Sequence, residues 1–174
     1  LYEIYRKYPE ICTDSRKVSE GVLFFALKGG NFDGNKFAAA AIDRGAAYAI
    51  VDDQSLTSHK KCIVVDDVLE TMQKLARHHR DQFSIPVLGL TGSNGKTTTK
   101  ELIAAVLSEK YKIHATSGNF NNHIGVPLTL LSMPEDTEIA VIEMGANGLK
   151  EIGFLCGISA PTHGFVTNVG KAHL

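Results

Sequence analysis

The chain has 174 residues, enough for one large domain or two small ones. Its 44% hydrophobic and 21% charged residues are the balance of a soluble globular protein, and a formal net charge of -1 excludes a global basic field for nucleic acid. No apolar run is long enough to insert in a membrane, and Cys12, Cys62 and Cys156 lack C-x-x-C spacing, which argues for free thiols in a reducing cytoplasm rather than disulfides or zinc.

Two alternating strand and helix segments follow one another, joined near residues 81–86. In the first, residues 21–27 read as a buried strand ending in the turn Lys28-Gly29-Gly30. Asn35 is placed to cap an alanine-rich helix that runs through Asp43 and stops at Gly45. Strands are expected at 47–51 and 62–65. Asp66 or Asp67 then caps a helix whose apolar positions Val68, Leu69, Met72, Leu75 and Ala76 share one face. His59, His78 and His79 read as surface residues. The second segment opens with an apolar strand at 85–90, a glycine-rich turn, and a helix over 97–108 bearing Leu102, Ile103, Val106 and Leu107. A strand near 111–115, a polar loop over 116–123 and a helix near 126–131 come next. A strand at 138–143, a helix at 149–156 and a strand at 163–167 complete the pattern. Strands alternating with helices imply parallel sheets covered on both faces, an α/β fold.

The strongest local signal is Thr91-Gly92-Ser93-Asn94-Gly95-Lys96-Thr97-Thr98, set between an apolar strand and an amphipathic helix. Gly92 and Gly95 let the backbone bend and turn its amides toward an anion, and the helix N-terminus adds unpaired N–H groups. Lys96 can reach the β- and γ-phosphates, and the Thr97 hydroxyl can ligate Mg²⁺. The general P-loop pattern has glycine where this chain has Leu90. Glu143 falls at the end of an apolar strand, where α/β sheets place ligand groups, though an ordinary polar strand end reads the same way. Asn119, Asn121 and Asn122 suit a left-handed turn as well as a site. Ser15-Arg16 fits a solvated turn or a binding loop.

That P-loop variant resembles the one in the Mur ligases and their relatives, the folylpolyglutamate and cyanophycin synthetases. Gly118-Asn119-Phe120-Asn121-Asn122-His123-Ile124-Gly125-Val126-Pro127 is similar to the G-N-x-N-N-x-I-G-V-P segment of the MurF type within that family. Val141–Asn147, Asn168–Leu174, Thr13–Arg16 and Gly21–Gly29 match further segments, so the resemblance runs from about residue 13 to the end. It implies a small N-terminal uridine-nucleotide domain over 1–82, followed by part of a P-loop ATPase domain over 83–174. The implied chemistry is ATP-dependent ligation of D-alanyl-D-alanine to a UDP-N-acetylmuramoyl tripeptide, through an acyl phosphate, in peptidoglycan precursor synthesis. Thr91, Gly92, Ser93, Asn94, Gly95, Lys96, Thr97 and Thr98 would bind ATP. Thr97, Glu143 and His173 would hold Mg²⁺ or its water shell. Lys96, Asn119, Asn122 and His173 would act at the reacting groups, and Ser15 and Arg16 would contact the UDP-sugar. A cytoplasmic monomer that binds no nucleic acid is expected. Leu1 in place of Met, and the abrupt stop at Leu174 after the polar run Asn168–His173, suggest a piece of a longer protein, inactive in ligation alone. A sister amide ligase and a non-catalytic nucleotide-binding relative are the alternatives.

Overall fold

A computed structural model describes residues 1–170, which form two compact units divided between Leu75 and Ala76. The N-terminal unit opens with helix α1 (Tyr2–Lys7) and strand β1 (Ile11–Cys12). Strand β2 (Leu23–Phe25) and a short antiparallel ribbon, β3 (Lys28–Gly29) with β4 (Phe32–Asp33), follow. Helix α2 (Ala38–Asp43), strands β5 (Tyr48–Val51) and β6 (Cys62–Val64), and helix α3 (Val68–Arg80) complete the run. Among the described residues, β1-β2-β5-β6 form a sheet in that order, with every pairing parallel. All three β2 residues are buried, as expected of a strand covered on both faces. Phe24 and Ala26 share one core cluster with Ala38, Ala41, Ala49 and Val51. The small side chains of α2 contribute two fully buried positions, Ala38 and Ala41, to that cluster.

The strand expected over 21–27 is regular only at 23–25, because the chain turns after Leu27 to donate the Gly34 amide to the Leu27 carbonyl (2.9 Å). Asn35 is not a helix cap. Asp33 accepts from the Asn35 amide (3.1 Å) at a tight 3-10 turn over Gly34–Phe37, and α2 starts only at Ala38. The Asn35 carboxamide, 5% exposed, instead donates to Asp33 (2.9 Å) and Asp52 (2.7 Å) and accepts from the Asp52 amide (3.1 Å). Gly34 lies against backbone: a Cβ there would stand 2.5 Å from the Ala26 carbonyl carbon and 2.6 Å from the Leu27 oxygen. Gly34→Ala therefore should destabilise this unit by about 1–3 kcal/mol, as overpacking does. For a unit this small, each kcal/mol lowers Tm by about 4–8 °C. Tyrosine fluorescence reads the melt, since Tyr2, Tyr5, Tyr8 and Tyr48 lie in this unit and the chain has no tryptophan; an unshifted transition would contradict the packing.

The second unit begins within α3. Its last turn is not a solvated end. Arg80, 6% exposed, donates to the carbonyls of Ser159 (3.2 Å), Ala160 (3.1 Å) and Phe83 (2.7 Å), while Arg77 donates to Gly157 (2.6 Å). His79 also corrects the sequence reading: it is 7% exposed, its ring set edge-on to Phe83, and burial pushes its pKa down. Asp67 does cap α3, accepting from the Glu70 amide at 2.7 Å.

Strands β7 (Val87–Thr91), β8 (Ile113–Ala115), β9 (Ile139–Glu143) and β10 (His163–Val166) alternate with helices α4 (Lys96–Ser108), α5 (Gly125–Leu131) and α6 (Glu151–Ser159). Their order in the sheet is β10-β7-β9-β8, all parallel. The chain leaves β7 toward β8 and later crosses back to β10, so the direction of winding reverses beside β7. Ligands bind in such sheets outside the carboxyl ends of strands at that reversal. Helix α4 buries a different stripe from the one expected: Leu102 and Val106 are 63% and 72% exposed, whereas Lys100 is wholly buried.

Candidate active site

Strands β7 and β9 are neighbours in the sheet, with Leu90 opposite Glu143, so the turn after Thr91 and the Glu143 carboxylate emerge side by side. The turn needs both its glycines. Gly92 has φ +141° and Gly95 φ +76°, conformations that carry a steric penalty for any residue with a Cβ. Gly95 then opens α4, whose first-turn amides have no intrahelical acceptor and lie at the positive end of the helix dipole. Lys96 folds back over the turn, donating to the carbonyls of Gly92 (2.7 Å) and Ser93 (3.3 Å). The far side of the turn is braced by the segment after β10. Asn168 accepts from the Asn94 amide (3.0 Å) and donates to the Asn94 carbonyl (3.0 Å), where Thr167 also donates (2.7 Å). The Ser93 hydroxyl and Gly170 exchange bonds of 2.9 and 3.0 Å.

Glu143 is 1% exposed. Its Oε1 accepts from Asn121 (2.8 Å) and from the Thr97 hydroxyl (3.3 Å), and its amide donates to the Thr116 hydroxyl (2.9 Å). Its Oε2 is buried and has no hydrogen-bond partner among the described residues. Buried carboxylate oxygens are normally paired; the charged group facing this one is the Lys100 ammonium, 4.0 Å away. Among the described residues no three His, Cys, Asp or Glu side chains cluster. A Mg²⁺ ion fits this equipment nonetheless, since it takes one or two protein oxygens and completes its shell with phosphate oxygens and waters.

Beside the turn lies a cavity of about 470 Å³ lined by Lys96, Asn121, Asn122, His123, Gly145 and Asn147, with Phe154 on its wall. Of the three asparagines, Asn121 is the one whose side chain reaches Glu143; it packs against Gly145, at 3.0 Å from where a Cβ would stand. Asn122 lines the cavity while its oxygen accepts from the amides of Ile124 (3.0 Å) and Gly125 (2.8 Å), shaping the entry to α5. Asn119 is exposed and outside the cavity lining. His173 lies outside the described residues. Thr116 and Lys100 carry no functional signal in the sequence, and of the asparagines the resemblance implies roles for Asn119 and Asn122, not for Asn121. The asparagine-rich run flagged the right segment, but nothing in it says which side chain turns inward.

In the N-terminal unit, Ser15 is buried and its carbonyl accepts from Arg44. Arg16 is exposed and grips Asp14 with two bonds of 2.9 Å. That guanidinium, together with the Arg16 amide, lowers the Asp14 pKa to about 2. The carboxylate's contribution to stability is therefore complete above its ordinary value of 3.8 and is lost as pH falls through about 2. Replacing Arg16 by Met should return Asp14 toward 3.8 in an NMR titration; an unmoved titration would show the pairing absent in solution.

Residues 90–174 match the Mur ligase middle domain and residues 7–80 match the Mur ligase family catalytic domain. Over 167 residues the chain is 46% identical to a UDP-N-acetylmuramoyl-tripeptide–D-alanyl-D-alanine ligase of Bacillus subtilis, covering 94% of this chain and 36% of that protein. It is 46% identical to the ligase of that name in Synechocystis, covering 94% and 37%. The crystal structure of MurF from Acinetobacter baumannii superposes with a TM-score of 0.89 at 38% identity, covering 95% of this chain and 36% of that one. MurF from Thermotoga maritima in complex with ADP gives 0.86 at 39%, covering 95% and 38%. The chain thus spans little more than a third of the length of these relatives. With matched segments running from residue 7 to 80 and from 90 to 174, the chain belongs to the Mur ligase family.

Proposed function

We propose that the full-length protein to which this chain belongs uses ATP to join D-alanyl-D-alanine to a UDP-N-acetylmuramoyl tripeptide. The observation that carries this reading is the glycine turn with Lys96 standing one strand away from the buried, half-satisfied Glu143 carboxylate. Residues 83–174 act as the ATP-binding domain in this reading, and residues 1–82, with Ser15 and Arg16, as the uridine-nucleotide domain. The amides of 92–98 and the Lys96 ammonium hold the polyphosphate and balance charge as the terminal phosphoryl group moves to the tripeptide carboxylate. The resulting acyl phosphate is attacked by the amine of D-alanyl-D-alanine; the amide C–N bond forms as the acyl C–O bond breaks and inorganic phosphate leaves. Mg²⁺ would supply neutralisation of the phosphate oxygens and a fixed template for them. Thr97 and Glu143 would hold it, Asn121 would keep the Glu143 carboxylate in place, and Asn122 would line the space where the carboxyl group reacts.

The full-length protein should release phosphate from ATP with the UDP-linked tripeptide and D-alanyl-D-alanine together, and require Mg²⁺. Turnover with a UDP-linked dipeptide and a diamino acid instead would assign it to a sister ligase. Nucleotide binding without turnover on either pair would assign it a non-catalytic role.

A further inference from the structure

We propose that Lys100 is a positioning residue for Glu143, holding that carboxylate charge-balanced yet open to a divalent cation; this rests on reading Glu143 as a ligand of Mg²⁺. Lys100 stands one helical turn beyond Lys96 on α4 and is wholly buried, an unusual place for a lysine. Its ammonium donates to the Thr116 carbonyl (2.5 Å) and to Glu101 (2.9 Å). It stops 4.0 Å from Glu143 Oε2, the buried oxygen that lacks a hydrogen bond.

That spacing decides the reading. A lysine present only to pair with Glu143 would close to about 2.8 Å, the length of a charge-assisted hydrogen bond. The Thr116 carbonyl and Glu101 hold the ammonium back instead. Its charge offsets the buried carboxylate on the Oε2 side, while Oε1 stays on the side of the Thr97 hydroxyl. The same residue fixes the carboxylate through the backbone: Lys100 binds the Thr116 carbonyl, and the Thr116 hydroxyl accepts from the Glu143 amide. The ends of β8 and β9 are clamped from α4 by one side chain. An apolar residue of similar volume could fill the space without burying a charge; what the ammonium adds is the bond to Thr116 and a positive charge beside Glu143.

The test is the affinity of the full-length protein for a non-hydrolysable ATP analogue, measured with Mg²⁺ and with EDTA. Outer-shell partners of metal ligands typically change metal affinity about 10–100-fold. In Lys100→Met the gain in affinity conferred by Mg²⁺ should shrink by that factor, while affinity in EDTA stays at the parent value. Lys100→Gln, which keeps a donor toward Thr116 but drops the charge, should show the same selective loss and decides the matter if Lys100→Met does not fold. An equal loss with and without metal, an unchanged Mg²⁺ gain, or failure of both variants to fold would make Lys100 structural and overturn the proposal. Glu143→Gln, run in parallel, separates the two readings. If it abolishes the Mg²⁺ gain while the Lys100 variants keep it, only the role of Lys100 falls. If it leaves the gain intact, Glu143 is not the ligand.

Discussion

Lys96→Ala in the full-length protein should weaken ATP binding roughly 10- to 150-fold, the equivalent of about 1.5–3 kcal/mol for one charge-assisted contact. The lysine is positioned for this without substrate: two carbonyls of the turn, Gly92 and Ser93, already hold its ammonium over the bend. Little side-chain freedom remains to be lost when a phosphate arrives. Truncation removes the cation but leaves the glycine turn and the first-turn amides of α4, so a residual affinity for nucleotide should survive. Isothermal titration with ATP and Mg²⁺ reads the loss; an unchanged Kd would mean that the phosphates bind elsewhere.

Gly92→Ala should be as damaging by a different route. At φ +141° a residue with a Cβ is strained by about 1–3 kcal/mol. The added methyl would also collide with the Thr167 hydroxyl and stand 3.1 Å from the amide and carbonyl of Asn168. Those are the residues that brace Asn94 from the far side of the turn. Relief requires the turn to move off its brace, which re-aims the amides that would face phosphate. Nucleotide affinity should fall at least about tenfold and thermal stability should fall with it. Thr167→Ala added to Gly92→Ala removes the collision but not the backbone strain, so it should recover part of the stability. Parent-like binding by Gly92→Ala would contradict the geometry of the loop.

Much of this arrangement was legible in the sequence because it is local. A strand, two glycines, Gly-Lys-Thr and an amphipathic helix announce a P-loop even with Leu90 in the place of the usual first glycine. A helix cap at Asp66 or Asp67 and Glu143 as a strand end followed from position; the hydrogen bond from Glu70 then selects Asp67. What escaped depends on contacts between distant segments. Lys100 reads as one more polar residue on a helix until β8 and β9 surround it. Arg80 suits the dipole of its own helix, yet it serves the carbonyl end of α6 about 80 residues away, and His79 goes inward with it. Asn35 has the chemistry of a cap, but Asp33 takes that role two residues earlier and frees Asn35 to bind Asp52. The braces from Thr167 and Asn168 to the turn could not be foreseen from spacing, since they require β10 to lie next to β7.

The most direct measurement is a crystal structure of the full-length protein with Mg²⁺ and a non-hydrolysable ATP analogue. The triphosphate should be seated on the amides of residues 92–98, with Lys96 turned to it and the metal within coordination distance of Thr97 and Glu143. Density for the nucleotide away from the carboxyl ends of β7 and β9, with the turn vacant, would contradict this arrangement.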